Sequence, residues 1–125
     1  MLESLHHIAV LCSDRMAALR FYRDALGFSL REAHPRPYRG DEILFLDGYG
    51  ITLELFIDPR RPARPTEPEA LGLRHLAFLV SDLTDSVERL AAYGFPAEPI
   101  RTDSFNGARM TFVKDPDGLP IELHE

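Results

Sequence analysis

The chain has 125 residues, 45% of them apolar, and a net charge of −6. That length and composition suit one water-soluble globular domain. The spread negative charge argues against a nucleic-acid or anionic-membrane partner, and no apolar run is long enough to span a membrane. A single cysteine, Cys12, excludes an internal disulfide, and no basic and apolar leader opens the chain, so a cytoplasmic location is expected.

Residues 5–13 read as a first strand, with Ile8 and Val10 on one face and His7, Ala9 and Leu11 on the other. Cys12 reads there as a small buried residue. Asp14 is placed to cap a helix carrying Met16, Leu19, Tyr22 and Leu26, and Gly27 to end it. Residues 28–33 predict a second strand. Residues 34–40, including His34, predict a loop by their Pro and Gly content. Residues 42–46 and 51–57 predict the third and fourth strands.

Residues 58–70 carry Pro59, Pro62, Pro65 and Pro68 at every third position and predict a stiff, extended linker. A second series follows: a strand over 74–80, a helix capped by Asp82 with Leu83, Val87 and Leu90 inward and Gly94 at its end, then strands over 97–101, 108–114 and 119–124. Residues 103–107 predict a polar turn.

The two series are copies of one pattern. His7-Ile8-Ala9-Val10 with Asp14 recurs as His75-Leu76-Ala77-Phe78 with Asp82, 68 residues on, and the same offset relates Asp47 to Asp115 and Glu54 to Glu122. An internal repeat of this kind implies two modules, 1–57 and 71–125, within a single domain. Each opens with a His on a strand and closes with a Glu on a strand. In the last strands, Leu53 and Leu55 oppose Glu54, and Ile121 and Leu123 oppose Glu122. With the apolar partners packed under the helices, His7, Glu54, His75 and Glu122 leave the sheets on the other face.

A lone strand His is usually a hydrogen-bonded core or surface residue, and a lone strand Glu belongs to a wet face. Four residues matched across a repeat are better explained by a divalent metal, because imidazole and carboxylate together suit Zn, Ni, Co, Mn or Fe(II) and not Ca or Mg. A metal also relieves the cost of burying the carboxylates. His6 falls on the wrong face by period two. His124 shares the Glu122 face near the chain end, where simple exposure is expected. Arg74, Arg109 and Lys114 are candidate anion-binding groups, with solvated charge the default for each.

These residues resemble the vicinal-oxygen-chelate superfamily, which includes glyoxalase I, extradiol dioxygenases and fosfomycin-resistance proteins. The marks are His7 through Asp14, Phe21-Tyr22 with Leu26-Gly27-Phe28, Leu53-Glu54-Leu55-Phe56, Arg74 through Phe78, and Asp115-Pro116-Asp117-Gly118 through Leu123. They cover essentially the whole chain. The resemblance implies an α+β fold, with two tandem βαβββ modules forming a curved mixed sheet around a metal site, and chelation of a substrate through neighbouring oxygens. The order His7, Glu54, His75, Glu122 is most similar to glyoxalase I. The stretch from Pro68 to His75 is similar to a small bacterial glyoxalase-like subfamily.

The implied activity is a metal-dependent lyase or isomerase acting on an α-hydroxycarbonyl, such as a thiol hemithioacetal, through an enediolate. Glu122 or Glu54 would serve as the base. The implied partners are a small molecule, thiol adducts included, and a second copy of the chain. An Fe(II) dioxygenase and a non-catalytic metal-containing binding or resistance protein are the alternatives. Leu11 and Asp58 stand where bacterial glyoxalases have an Arg and an Asn, which breaks the glutathione part of the resemblance and leaves the metal part intact.

Overall fold

The computed structural model describes all residues, Met1–Glu125. The chain divides into two units, Met1–Pro62 and Ala63–Glu125, and each is a βαβββ module. No helix is long and apolar enough to cross a membrane.

In the first unit the strands are β1 (Ile8–Cys12), β2 (Ser29–Arg36), β3 (Asp41–Gly48) and β4 (Ile51–Ile57), in the sheet order β1-β4-β3-β2. β1 runs parallel to β4, with Ala9 opposite Glu54, and the other pairings are antiparallel. Helix α1 (Arg15–Leu19) starts where the Asp14 carboxylate accepts the Ala17 N–H at 2.8 Å, the expected cap. It continues as a π-helical stretch, Arg20–Ala25, in which the Leu26 N–H reaches back to the Phe21 carbonyl. Gly27, at φ +90°, ends it.

The buried helical face is Ala18, Leu19, Phe21, Tyr22 and Ala25, against Leu44, Leu46, Leu53 and Leu55, which are fully inaccessible. Burial on this scale contributes roughly 1.5–3 kcal/mol per large side chain. Met16 departs from expectation and lies exposed. Counted back from Ala18, in the middle of the buried stripe, at about 100° per residue, it falls on the far side of the helix.

Strand β2 is longer than its sequence predicts and takes in His34, Pro35 and Arg36, leaving a loop at 37–40. Pro35 is tolerated because β2 is an edge strand, so its missing N–H can face outward. A bulge between Leu30 and Glu32 inserts Arg31 into the edge. Between β3 and β4, Tyr49 and Gly50 both have positive φ, 53° and 76°, as a tight primed hairpin turn requires. Tyr49 is held there by donating its hydroxyl to the Leu26 carbonyl and by packing edge-on against Phe28.

The segment after β4 is not simply extended. Asp58 is buried and binds both Arg60 and Arg61, at 2.8 and 3.0 Å, turning the chain at once. Thr66 and Glu69 pair across a second turn that contains the cis Glu67–Pro68 peptide.

The second unit contains β5 (Leu76–Leu79), α2 (Leu83–Ala92), β6 (Arg101–Thr102), β7 (Arg109–Lys114) and β8 (Pro120–His124), in the order β5-β8-β7-β6. β5 runs parallel to β8, with Ala77 opposite Glu122. Asp82 caps α2 by accepting the Asp85 N–H, and Leu83 and Leu90 are buried with Val113, Ile121 and Leu123. Asp115, itself buried, accepts the N–H groups of Asp117 and Leu119 and fixes the turn into β8. The strand expected over 97–101 shrinks to Arg101–Thr102. Pro96 and Pro99 have no N–H to give a ladder, and what remains is one bond from the Glu98 N–H to the Phe112 carbonyl and one from Thr111 Oγ1 to the Glu98 carbonyl.

Candidate active site

In each unit the first strand lies beside the last, and this parallel pairing brings a His and a Glu together. His7 sits one residue before β1 and two before Ala9, whose register partner is Glu54. Its Nε2 lies 2.9 Å from Glu54 Oε2. Glu54 is mostly buried, at 15% side-chain exposure, while His7 is 41% exposed. On the other side of Glu54, in register on β3, stands Phe45.

His6 plays a part that period two does not predict. Its Nδ1 lies 2.9 Å from His7 Nδ1, so it holds the ring atom of His7 that Glu54 does not use. The His7 ring is thus fixed from both nitrogens. Along the same open face, Arg36 is bound to Asp41 at 2.6 Å and lies 5.5 Å from the Phe56 ring centre. The Asp41 hydrogen bond foremost, and the Glu54 charge more weakly, raise the Arg36 pKa.

The second unit repeats the arrangement. His75, one residue before β5, places Nε2 3.0 Å from Glu122 Oε2, with 25% and 13% side-chain exposure. Phe112 is the register partner of Glu122 on β7, and its ring meets His75 edge-on with centroids 5.1 Å apart. His124 is not merely exposed. Its Nδ1 lies 2.8 Å from the Glu125 carbonyl and its Nε2 3.2 Å from Asp103 Oδ2. The Asp103 bond raises the His124 pKa, and Asp103 is held low by the Phe105 N–H and then by His124.

The donor atoms fit a divalent metal in kind, an imidazole nitrogen and a carboxylate oxygen held side by side in each pair. Each unit offers two such donors.

Two of the candidate anion-binding groups are committed elsewhere: Arg74 to Glu69 at 3.1 Å and Arg109 to Glu125 at 2.7 Å. Lys114 is exposed at the end of β7. The sequence gives no sign of two arginines from the edge strands. Arg31 lies 5.4 Å from the Phe45 ring centre, and Arg101 lies 5.4 Å from the Phe112 ring centre. Their placement depends on the register of the edge strands and on the bulge beside Arg31, which no local motif announces.

Comparison with known proteins agrees with this architecture. Residues 4–123 match the model of the Glyoxalase/Bleomycin resistance protein/Dioxygenase superfamily. The chain is 48% identical to the uncharacterized protein YwkD of Bacillus subtilis, over 100% of this chain and 98% of that one. It superposes on the crystal structure of a glyoxalase family protein from Enterococcus faecalis with a TM-score of 0.93 and 46% identity, covering 98% of both chains. It superposes less closely on a lactoylglutathione lyase from Agrobacterium tumefaciens, with a TM-score of 0.69 and 27% identity over 99% of this chain and 94% of that one. Two βαβββ modules, a matched His–Glu pair in each and a family match over nearly every residue lead to one conclusion: the chain belongs to the Glyoxalase/Bleomycin resistance protein/Dioxygenase superfamily.

Proposed function

We propose that the protein is a metal-dependent lyase or isomerase that moves a proton between adjacent carbons of a small α-hydroxycarbonyl compound. The observation that carries this reading is the pair of matched contacts, His7–Glu54 at 2.9 Å and His75–Glu122 at 3.0 Å. His7, Glu54, His75 and Glu122 would hold one divalent ion, with Ni, Zn, Co and Mn the metals best suited to that set. When bound, the ion supplies Lewis-acid polarisation of the substrate oxygens, which acidifies the neighbouring C–H.

The chain's own residues do the rest. Glu122 takes the proton from carbon and returns it to the neighbouring one. Glu54 and the two imidazoles keep the substrate's paired oxygens oriented. His6 locks the His7 ring, and Phe45 and Phe112 wall the carboxylates from water. A homodimer in which the His7–Glu54 pair of one copy meets the His75–Glu122 pair of the other completes the set. Similarity to a lactoylglutathione lyase supports the reaction class. Leu11 and the buried, arginine-bound Asp58 favour a thiol other than glutathione.

The test begins with metal content of protein purified without chelator or affinity tag. About one ion per chain is expected, together with solvent-deuterium incorporation into product when methylglyoxal is offered with a panel of thiols. Glu54→Ala should abolish stoichiometric metal binding. Unchanged metal affinity in that variant would remove Glu54 from the site, and predominant iron with oxygen uptake would replace the isomerase by a dioxygenase.

A further inference from the structure

The open faces of the two sheets carry the same motif with one difference. Beside each His–Glu pair stands a phenylalanine in register with the Glu, Phe45 or Phe112, and over each phenylalanine lies an arginine from the edge strand, Arg31 or Arg101. Arg31 is neutralised: its Nε binds Asp47 at 2.6 Å and its Nη1 binds Glu32 at 2.9 Å. Arg101 has no carboxylate. Its Nε–H donates to the Met110 sulfur at 3.2 Å, a weak acceptor, and the Phe112 ring covers the guanidinium. Both terminal nitrogens are left without a protein partner.

A stacked guanidinium keeps its in-plane N–H groups available and loses little freedom when it binds a planar anion. Phe112 joins this arginine to the reaction site, since it touches His75 and stands in register with Glu122. The chain carries a net charge of −6 and places a carboxylate in each pair, so an anionic ligand needs a dedicated cation to be held there. We propose that Arg101 determines substrate specificity by taking a carboxylate of the substrate in the two-pronged manner of an arginine fork. The substrate class is therefore a small carboxylic acid with two neighbouring oxygens. This rests on the metal-site reading above and adds the group that selects among vicinal-oxygen compounds.

Two probes with the same chelating oxygens separate the claims: 3,4-dihydroxybenzoate and its uncharged methyl ester. Each is titrated into cobalt-loaded protein, followed by calorimetry and by the visible cobalt spectrum. The acid should bind roughly 10–100-fold more tightly than the ester, the range of a hydrogen bond to a charged group. Arg101→Gln should erase that preference while the ester still perturbs the cobalt spectrum. Arg101→Lys should keep part of it. Arg89→Gln, on the exposed side of α2, removes the same charge and should keep all of it. Equal binding of acid and ester by the unaltered protein, or a preference that survives Arg101→Gln, overturns the role of Arg101 and leaves the metal site standing. Failure to bind cobalt, or a spectrum that neither probe changes, overturns the metal-site reading and the Arg101 proposal with it.

Discussion

Replacing Gly48 by Ala tests how the hairpin that delivers Glu54 is packed. Gly48 ends β3, opposite Ile51 at the start of β4. A Cβ added there would stand 2.8 Å from Phe28 Cδ1 and 3.2 Å from Cε1 and Cγ. Carbon atoms are comfortable at about 3.5 Å, so the ring would have to retreat by about 0.7 Å. It has little room, because Phe28 is 2% exposed and braced edge-on by Tyr49 with centroids 5.2 Å apart. Overpacking of this kind costs ~1–3 kcal/mol. Restricting the unfolded chain returns ~0.4–1 kcal/mol. The net expectation is a loss of about 1–2 kcal/mol, or a fall of roughly 3–10 °C in Tm for a domain of this size. Chemical denaturation and calorimetry measure it. In a Phe28→Leu background the penalty should largely vanish, since the smaller side chain makes room. An unchanged or raised Tm, or a penalty of the same size in both backgrounds, refutes the steric argument.

Acid should weaken the fold in a defined window. Arg60 foremost holds the Asp58 carboxyl down at about 2, and Arg109 does the same for Glu125. A carboxyl depressed on folding stabilises above its unfolded value, about 4. That stabilisation is lost as pH falls from about 4 towards 2. The urea midpoint should drop across that interval, and Asp58→Asn should flatten its share of the drop; a midpoint independent of pH there would contradict both ion pairs. Met16→Lys should shift stability by no more than about 0.5 kcal/mol, whereas Leu19→Ala should cost about 2–5 kcal/mol. Equal losses in urea denaturation would show that the buried helical stripe is misplaced.

The repeat, the opposing faces of each closing strand and the helix caps at Asp14 and Asp82 are all legible in the sequence. They rest on short-range rules: alternation, cap chemistry and self-similarity. The closeness of His7 to Glu54 follows once the strands before and after a helix are taken as parallel neighbours. Features that depend on a strand's position in the sheet are not legible. Pro35 extends β2 only because that strand is an edge, and Pro96 and Pro99 deprive the corresponding edge in the second unit of ladder bonds. The π-helical stretch after Leu19 has no local signal. His6 lies outside β1, where alternation no longer governs direction, and so reaches His7. The arginines over Phe45 and Phe112 come from strands with irregular pairing, where sequence distance says nothing about which ring they cover.

The parallel pairing of first and last strands has a consequence for how the site appears and disappears. Glu54 follows His7 by 47 residues, and Glu122 follows His75 by the same 47. Each pair thus spans nearly a whole unit and forms only when the chain loop between its members has closed. β1 and β5 are held by a single neighbouring strand each, so their release is a route for local opening that leaves the antiparallel hairpins intact. Such an opening removes the imidazole from its carboxylate in one step. Hydrogen exchange at the amides of β1 and β5 should therefore report the lifetime of the His–Glu pairs, and a bound ligand should slow it there first.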